Sequence, residues 1–260
     1  DLYRDVPAGD ADAIASITEA DWLVVLQEDA LRHLPAVRRS RTSVVVQSAR
    51  TLVPWTRKSA TRLNAILVGH LRDEKDPRTA LAAWRLLPSD VPATLTIVGA
   101  ALDPAIADEV RAAVAADSRV RWLGARPHAC TRPAIRRAHV LVVASRMEGG
   151  ANVVAEALAS GTPVIGTRMS GNLGMLGADY PGYFEVGDAA GLAAAIALAA
   201  RDRRWLASLV RCAERRARMT TPAAEAASIA AAVQAAIAGA TGKMSRLPAK
   251  ARGPRANVPT

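Results

Sequence analysis

Short apolar segments alternate with amphipathic helical segments along most of the chain, and no other feature of the sequence restricts the possible folds as strongly. The apolar segments predict buried strands at 64–69, 94–99, 119–124, 139–145 and 163–167. Strands that are continuously apolar and joined by helices are typical of parallel sheets covered on both faces. The sequence therefore predicts an α/β fold with a doubly wound, parallel, Rossmann-like sheet.

Helices are predicted between these strands and after the last of them. Between the strands they cover 77–87, 104–116 and 130–138, and a further helix begins near residue 150. After residue 188 the pattern is mostly helical, with helices predicted at 189–201, 203–218 and 222–238. The last segment, 239–260, is basic, contains Pro and Gly and lacks periodicity, which predicts a disordered tail.

The first 53 residues contain too few elements for a domain of their own. They predict about two strands and two helices, with the strands at 21–27 and 43–48 around a helix near 28–39. Typical domains have about 100–150 residues. The chain also begins at Asp1, and its first methionine is Met147. We therefore expect residues 1–53 to be the remnant of a preceding Rossmann-like domain, in a chain that lacks its N-terminal part.

The rest of the chain divides at a polar segment. Residues 54–63 begin with proline and are predicted to be a linker. Residues 64–221 contain the second series of strands and helices and are predicted to form a ligand-binding domain. The helix at 222–238 is expected to pack back on the first domain.

Composition excludes several classes of protein. The net charge is +10, but aromatic residues are only 3% of the chain, too few for stacking on single-stranded nucleic acid, so no nucleic-acid partner is expected. No apolar run is long enough to span a membrane and no signal peptide is present, which favours the cytoplasm. Cys130 and Cys212 are isolated, without the Cys/His spacing of a metal site, so no metal is expected.

Two loops follow strands of the second domain and carry most of the candidate chemistry. Parallel α/β sheets bind ligands at the carboxyl ends of their strands. The first loop, 68–77, contains Gly69 followed by His70, Arg72 and Lys75. These side chains predict a site that attracts an anion.

The second loop is glycine-rich and leads into a helix. Gly149 and Gly150 allow the backbone to approach a ligand closely, and free N–H groups at a helix start attract anions. A diphosphate bound there would also meet Lys75 or Arg72 of the first loop. The backbone groups predicted to bind it belong to Gly149, Gly150, Ala151, Asn152 and Val153.

Two glutamates, Glu148 and Glu156, flank this glycine turn. Eight residues of helix rise about 12 Å, a distance comparable with that from the sugar of a nucleotide-sugar to its ribose. Because one carboxylate can accept hydrogen bonds from both hydroxyls of a cis-diol, Glu156 is predicted to hold the ribose. Glu148 would then face the transferred sugar, with the diphosphate between the two carboxylates.

The segment from Glu148 to Glu156 resembles the E-x7-E motif of retaining glycosyltransferases with the two-domain GT-B fold, in the glycogen-synthase-like group called family 4. The resemblance covers roughly 64–238. It implies that 64–221 is the donor-binding domain, that 1–53 is a remnant of the acceptor domain, that Glu148 lies beside the donor sugar and that Glu156 binds ribose.

The same resemblance extends to the first loop, with two departures. The family pattern G-R-L-x-x-x-K-G is matched by Gly69, Leu71 and Lys75. His70 replaces the arginine and Asp76 replaces the second glycine. Because the arginine and lysine of this pattern hold the diphosphate, the resemblance implies that role for Lys75, and Arg72 is expected to supply the missing charge.

Three segments resemble a narrower family, the selenosugar synthases of selenoneine biosynthesis. They are "VGHLRDEK", "SRMEGGANVV" and "SGNLGMLGADYPGYF", together with the opening "DLYRD". The resemblance implies a UDP-sugar substrate, UDP-N-acetylglucosamine, with selenophosphate as the nucleophile and no cofactor. At 171–174 the chain has Gly-Asn-Leu-Gly, where ordinary family 4 enzymes carry a glutamate a few residues after a glycine pair.

Other functions compete with this interpretation. One is a family 4 transferase with a sugar, lipid or thiol acceptor, and another is a non-catalytic nucleotide-sugar-binding module. A dinucleotide-dependent oxidoreductase is disfavoured because no G-x-G-x-x-G turn follows a predicted strand. The sequence leaves open the acceptor, the sugar that is transferred, the stereochemical outcome and the oligomeric state.

Overall fold

The computed structural model describes residues 10–59 and 61–244 of the 260-residue chain. Its strands are β1 (Leu23–Val25), β2 (Thr42–Val44), β3 (Leu63–Val68), β4 (Ala93–Val98), β5 (Val120–Trp122), β6 (Val140–Val143), β7 (Val164–Thr167) and β8 (Tyr183–Phe184). Its α-helices are α1 (Ala11–Glu19), α2 (Ala36–Arg39), α3 (Pro77–Leu86), α4 (Pro104–Ala116), α5 (His128–Arg137), α6 (Asn152–Leu158), α7 (Ser170–Leu176), α8 (Ala189–Arg201), α9 (Arg203–Ala217) and α10 (Pro222–Met244). Two 3₁₀ segments cover Glu28–His33 and Asp73–Lys75.

The later strands form a six-stranded parallel sheet in the order β5-β4-β3-β6-β7-β8. The predicted α/β fold with a doubly wound, parallel sheet is therefore confirmed. The chain first moves outward from β3 to β5 and then returns to β6 beside β3, where Ala65 pairs with Val140. Ligands of such sheets bind where the strand order reverses, which places the expected site between the carboxyl ends of β3 and β6.

The central strands are buried, which explains why their apolar pattern predicts them from the sequence. Every residue of β6 and β7 is buried, and Leu95 and Ile97 of β4 are fully inaccessible. On the helices, Trp84 of α3 and Ile196 of α8 are also buried, and α3 packs against both α4 and α8. A sheet buried on both faces requires continuous apolar strands, the pattern seen in the sequence.

Aspartate caps explain why the predicted bounds of several helices agree with those in the structure. Asp103 accepts hydrogen bonds from the first N–H groups of α4, and Pro104 follows at the first helical position. Asp202 ends α8 and caps α9 in the same way. A side-chain oxygen at this position satisfies N–H groups that have no partner within the helix, so the predicted helices at 104–116 and 189–201 match α4 and α8.

Residues 10–53 contribute a small unit beside the large sheet. In the described part of this segment, β1 and β2 form a parallel pair. The helix predicted near 28–39 is instead the 3₁₀ segment Glu28–His33 followed by the short α2, because Pro35 has no N–H for a continuous helix. Helix α10 contacts β2, and the Glu225 carboxylate accepts a hydrogen bond from the Ser48 hydroxyl.

Three further elements differ from the sequence prediction. Helix α7 and strand β8 were not predicted. Helix α10 continues to Met244, so the predicted end at 238 is too early and the prediction of disorder is wrong for 239–244. The helix passes through Gly239, which lies against the ring of Trp22, and the surrounding alanines favour helix. The rest of the predicted tail lies outside the described residues, as does the opening "DLYRD".

The segment between the two units has no regular secondary structure at 54–59 and 61. Trp55 lies under the guanidinium groups of Arg136 and Arg137, and Arg132 donates a hydrogen bond to the Arg50 carbonyl. Arginines on α5 therefore hold this segment against the larger unit. None of the helices in the described ranges is long and apolar enough to cross a membrane.

Candidate active site

A cavity of about 430 Å³ opens where β3 and β6 end. The loops after these two strands form most of its wall, and the ends of β4 and β5 complete it. The lining residues are Val68, Gly69, His70, Arg72, Lys75, Val98, Gly99, Ala125, Arg126, Thr131, Glu148, Gly150, Ala151, Asn152 and Val153. The structure therefore brings together nearly all of the predicted site residues, and only Gly149 and Glu156 are absent from this wall.

Lys75 and Glu148 meet inside the cavity. The Lys75 ammonium forms an ion pair with Glu148 Oε1, and the Ser145 hydroxyl donates to the same oxygen at 2.7 Å. The two side chains are only 19% and 10% exposed. The lysine predicted to bind diphosphate and the glutamate predicted to face the sugar are thus direct partners.

Behind Glu148, buried hydrogen bonds hold its loop in place. The Thr167 hydroxyl donates to the Ser145 carbonyl at 2.7 Å, and the Asn172 amide donates to the Thr167 carbonyl at 2.9 Å. A Cβ on Gly171 would overlap the Glu148 carbonyl oxygen. The glycine at 171, one of the departures noted in the sequence, is therefore the residue that lets α7 approach the Glu148 backbone.

The first loop is packed tightly against the end of β4. A Cβ on Gly99 would overlap the Gly69 carbonyl oxygen, so both strand ends approach through their backbones. The Ala100 N–H donates to Nδ1 of His70 at 3.0 Å, which leaves the imidazole proton on Nε2. In place of the arginine of the family pattern, the cavity therefore has an imidazole that can donate one hydrogen bond.

Asp76, the second departure, has a structural role at the start of α3. Its backbone is left-handed, with φ of 42°, a conformation that glycine adopts most easily. Its buried carboxylate accepts from the Thr79 N–H and hydroxyl at 3.1 and 2.8 Å and pairs with Arg146 Nε at 3.0 Å. Asp76 thus caps α3 and connects the two loops of the site.

The glycine turn contacts the small N-terminal unit through one of its two glycines. A Cβ on Gly150 would lie 3.0 Å from both Leu26 Cβ and Gln47 Oε1, so this position is crowded. Gly149 is exposed and has nothing near its Cβ position. After the turn, Ala151 stands at the N-cap of α6 without a side-chain cap, so no side chain of the described protein satisfies the first N–H groups of the helix.

Glu156 lies on α6 beside the cavity wall, one turn beyond Asn152. Its Oε1 is 2.7 Å from Nε2 of His128, the first residue of α5. The Glu156 side chain is 15% exposed and that of His128 is 68% exposed. The imidazole therefore covers the carboxylate from the solvent side.

A family model described as glycosyl transferases group 1 matches residues 62–202, more than half of the chain. The chain belongs to this family. The matched region contains both loops of the cavity, so the candidate site lies within it. No curated protein matches the chain.

Solved structures show the same fold at low sequence identity. HepE from Anabaena, solved with UDP and glucose, has a TM-score of 0.71 at 16% identity, over 94% of this chain and 70% of its own. Sucrose-phosphate synthase from Thermosynechococcus elongatus has 0.70 at 22%, over 96% and 65%. A TarM mutant from S. aureus, solved with fondaparinux, α-GlcNAc-glycerol and UDP, has 0.69 at 15%, over 85% and 45%. The chain thus spans less than two thirds of the length of the latter two.

Sequence reasoning missed the part of the site that follows β5. Ala125, Arg126 and Thr131 line the cavity, and His128 pairs with Glu156. The signal available was the strand-end rule itself, because "ARPHACTR" follows the predicted strand at 119–124. Within the described residues, no cluster of three or more His, Cys, Asp or Glu side chains could hold a metal ion.

Proposed function

We propose that the protein binds a UDP-sugar in the cavity between β3 and β6 and transfers its sugar to an acceptor. The observation that carries this proposal is the convergence of Lys75, Glu148 and the uncapped start of α6 on one cavity at the strand-order reversal. A cation and free N–H groups suit a diphosphate, and a carboxylate suits sugar hydroxyls. The uridine nucleotide is supported by the UDP found with HepE and TarM.

In this proposal the diphosphate takes Lys75 away from Glu148. The ammonium then binds phosphate oxygens, with Arg72 and the His70 Nε2–H nearby on the same wall. Glu148 becomes free to accept hydrogen bonds from the sugar. As the bond between the anomeric carbon and UDP breaks, negative charge develops on the diphosphate, and these positioned donors stabilise it. The role of Gly150 is to let the backbone approach, and Glu156 holds the ribose.

The narrower proposal concerns the sugar and the acceptor. The resemblance of 68–75, 145–154 and 170–184 to selenosugar synthases supports N-acetylglucosamine as the sugar and selenophosphate as the acceptor. Selenium would form a bond to the anomeric carbon while UDP leaves. This acceptor and the cytoplasmic location remain predictions from sequence.

Calorimetry tests whether the cavity binds UDP, and mass spectrometry of the products tests which sugar and acceptor are used. We expect UDP to bind more tightly than ADP, and UDP-N-acetylglucosamine to be consumed with selenophosphate, releasing UDP and a selenosugar whose selenium still carries the phosphoryl group, until hydrolysis of the P–Se bond releases phosphate. Phosphate and a small thiol are offered in parallel. Glycosylation of the thiol alone would contradict the selenophosphate assignment and retain the transferase. UDP binding without any transfer would favour a binding module, and absence of UDP binding would refute the donor site.

A further inference from the structure

His128 is the one side chain in the described residues that hydrogen-bonds the Glu156 carboxylate. The bond joins Nε2 of His128 to Oε1 of Glu156 at 2.7 Å. Because Nε2 must donate, either the neutral Nε2–H form or the imidazolium makes this contact. No protein donor in the described residues meets the other oxygen, Oε2.

The pair lies beside the cavity, next to residues that line it. Arg126 and Thr131, which flank His128 in the sequence, both line the cavity. Asn152 and Val153 line it from the first turn of α6, the helix that carries Glu156. A nucleotide whose diphosphate lies at the start of α6 would therefore have its ribose within reach of Glu156, next to His128.

We propose that His128 is a positioning residue for the ribose end of the nucleotide. By occupying Oε1, it fixes the Glu156 side chain in one orientation and leaves Oε2 to accept a hydrogen bond from a ribose hydroxyl. A glutamate that is already ordered loses less conformational entropy when the nucleotide binds. The inference rests on the proposed function, because Glu156 has a ribose to bind only if the cavity takes a nucleotide.

The test compares UDP with 2′,3′-dideoxy-UDP, which lacks the ribose hydroxyls, by calorimetry. For the wild-type protein we expect UDP to bind at least about tenfold more tightly, as for loss of a hydrogen bond to a charged group. In His128→Ala this ratio should fall to about threefold or less, because Glu156 is no longer held. His128→Gln should restore most of the ratio, since its amide N–H can replace Nε2–H.

His33→Ala is the matched control. His33 also lies near a carboxylate, that of Asp29 at 3.8 Å, but it does not line the cavity, so the ratio should not change. Thermal unfolding checks that each variant is folded, and His128→Phe, which keeps a ring without the donor, replaces the alanine variant if that one unfolds.

The outcomes separate this inference from the proposed function. If His128→Ala weakens both ligands equally, so that the ratio is unchanged, His128 is merely structural and the inference is wrong while UDP binding stands. If the wild type binds UDP no more tightly than the dideoxy analogue, Glu156 does not accept a hydrogen bond from the ribose hydroxyls, and the inference is again wrong. If the wild type does not bind UDP, the proposed function itself fails.

Discussion

At the scale of single residues, Glu148 and Glu156 belong to one short segment but have different partners. Glu148 is paired with Lys75 and Ser145 at the cavity, whereas Glu156 is paired with His128 beside it. Ligand binding must therefore exchange different contacts at the two carboxylates. This difference makes the roles proposed for them separable by mutation.

Glu156→Gln tests the ribose role. The substitution keeps the size of the side chain but replaces one acceptor oxygen by an amide and removes the charge, so UDP should bind more weakly by about 1–3 kcal/mol. Glu109→Gln is the matched control, because Glu109 also pairs with a basic side chain, Arg78, but lies outside the cavity. Calorimetry that finds equal UDP affinity for folded Glu156→Gln and wild type would contradict the assignment.

Lys75→Ala tests the diphosphate role. Loss of the ammonium should weaken UDP binding by about 1.5–3 kcal/mol, the range for hydrogen bonds to charged groups, and leave uridine binding nearly unchanged because uridine has no phosphates. Lys75→Arg, which keeps the charge beside Glu148, should lose less. Equal losses for UDP and uridine would show that the substitution disturbs the fold of the cavity instead.

At the scale of elements, α3 and α4 begin alike in sequence but not in backbone geometry. Both have an aspartate cap followed by proline, yet Asp76 has a left-handed φ of 42° and Asp103 a φ of −109°. Loss of either cap to alanine should cost about 0.5–2 kcal/mol, and glycine should cost less. The difference in free energy of unfolding between the alanine and glycine variants should be about 1 kcal/mol larger at Asp76 than at Asp103. Alanine is strained in the left-handed region that Asp76 occupies. Urea unfolding of the four variants measures these differences, and an equal difference at the two positions would argue against this strain.

His139 gives β3 and β6 a pH-dependent contact. Its Nδ1 accepts from the Asn64 N–H and its Nε2 lies 2.9 Å from the Ser59 carbonyl oxygen, and burial lowers the pKa of this imidazole. In the unfolded chain the imidazole of His139 has a pKa near 6.5, so below this pH the unfolded state binds more protons than the folded state. The contribution of His139 to the free energy of unfolding should be complete above about pH 6.5. It should be lost as the pH falls below this value, with a slope of at most about 1.4 kcal/mol per pH unit.

His139→Gln should remove this part of the pH dependence, even if it lowers stability at every pH. His33→Gln, at an exposed histidine, is the matched control. The measurement is urea unfolding between pH 5 and pH 8. A slope that persists unchanged in His139→Gln would assign the acid sensitivity to other groups.

The elements that the sequence predicted are those determined by local or fully buried patterns. Strands β6 and β7 are apolar throughout because both of their faces are covered, and α4 has its own cap and proline. Helix α7 was missed because its sequence, SGNLGML, contains two glycines whose purpose is close packing against other segments. The His128–Glu156 contact was missed because it spans 28 positions and depends on how α5 packs against α6.

At the scale of the whole molecule, the small N-terminal unit meets the large sheet through glycines of the larger unit. A Cβ on Gly174 of α7 would overlap the Gln27 side chain, whose amide donates to the buried Ser170 hydroxyl at 2.9 Å. Gly150, at the edge of the cavity, lies against Leu26 and Gln47. The same interface therefore supports the glycine turn at the edge of the cavity.

Gly174→Ala should destabilise the protein although alanine is the better helix former. In an open helix this substitution stabilises by about 0.5–1 kcal/mol, and Gly239→Ala in α10 should do so because its nearest contact, Trp22, is at an ordinary 3.6 Å. At Gly174 the methyl group must push Gln27 away, so hydrogen exchange should quicken in β1 and the neighbouring 3₁₀ segment. UDP binding should weaken as well, since Gly150 loses its support. If Gly174→Ala instead stabilised the protein as much as Gly239→Ala, the two units would not be packed this closely.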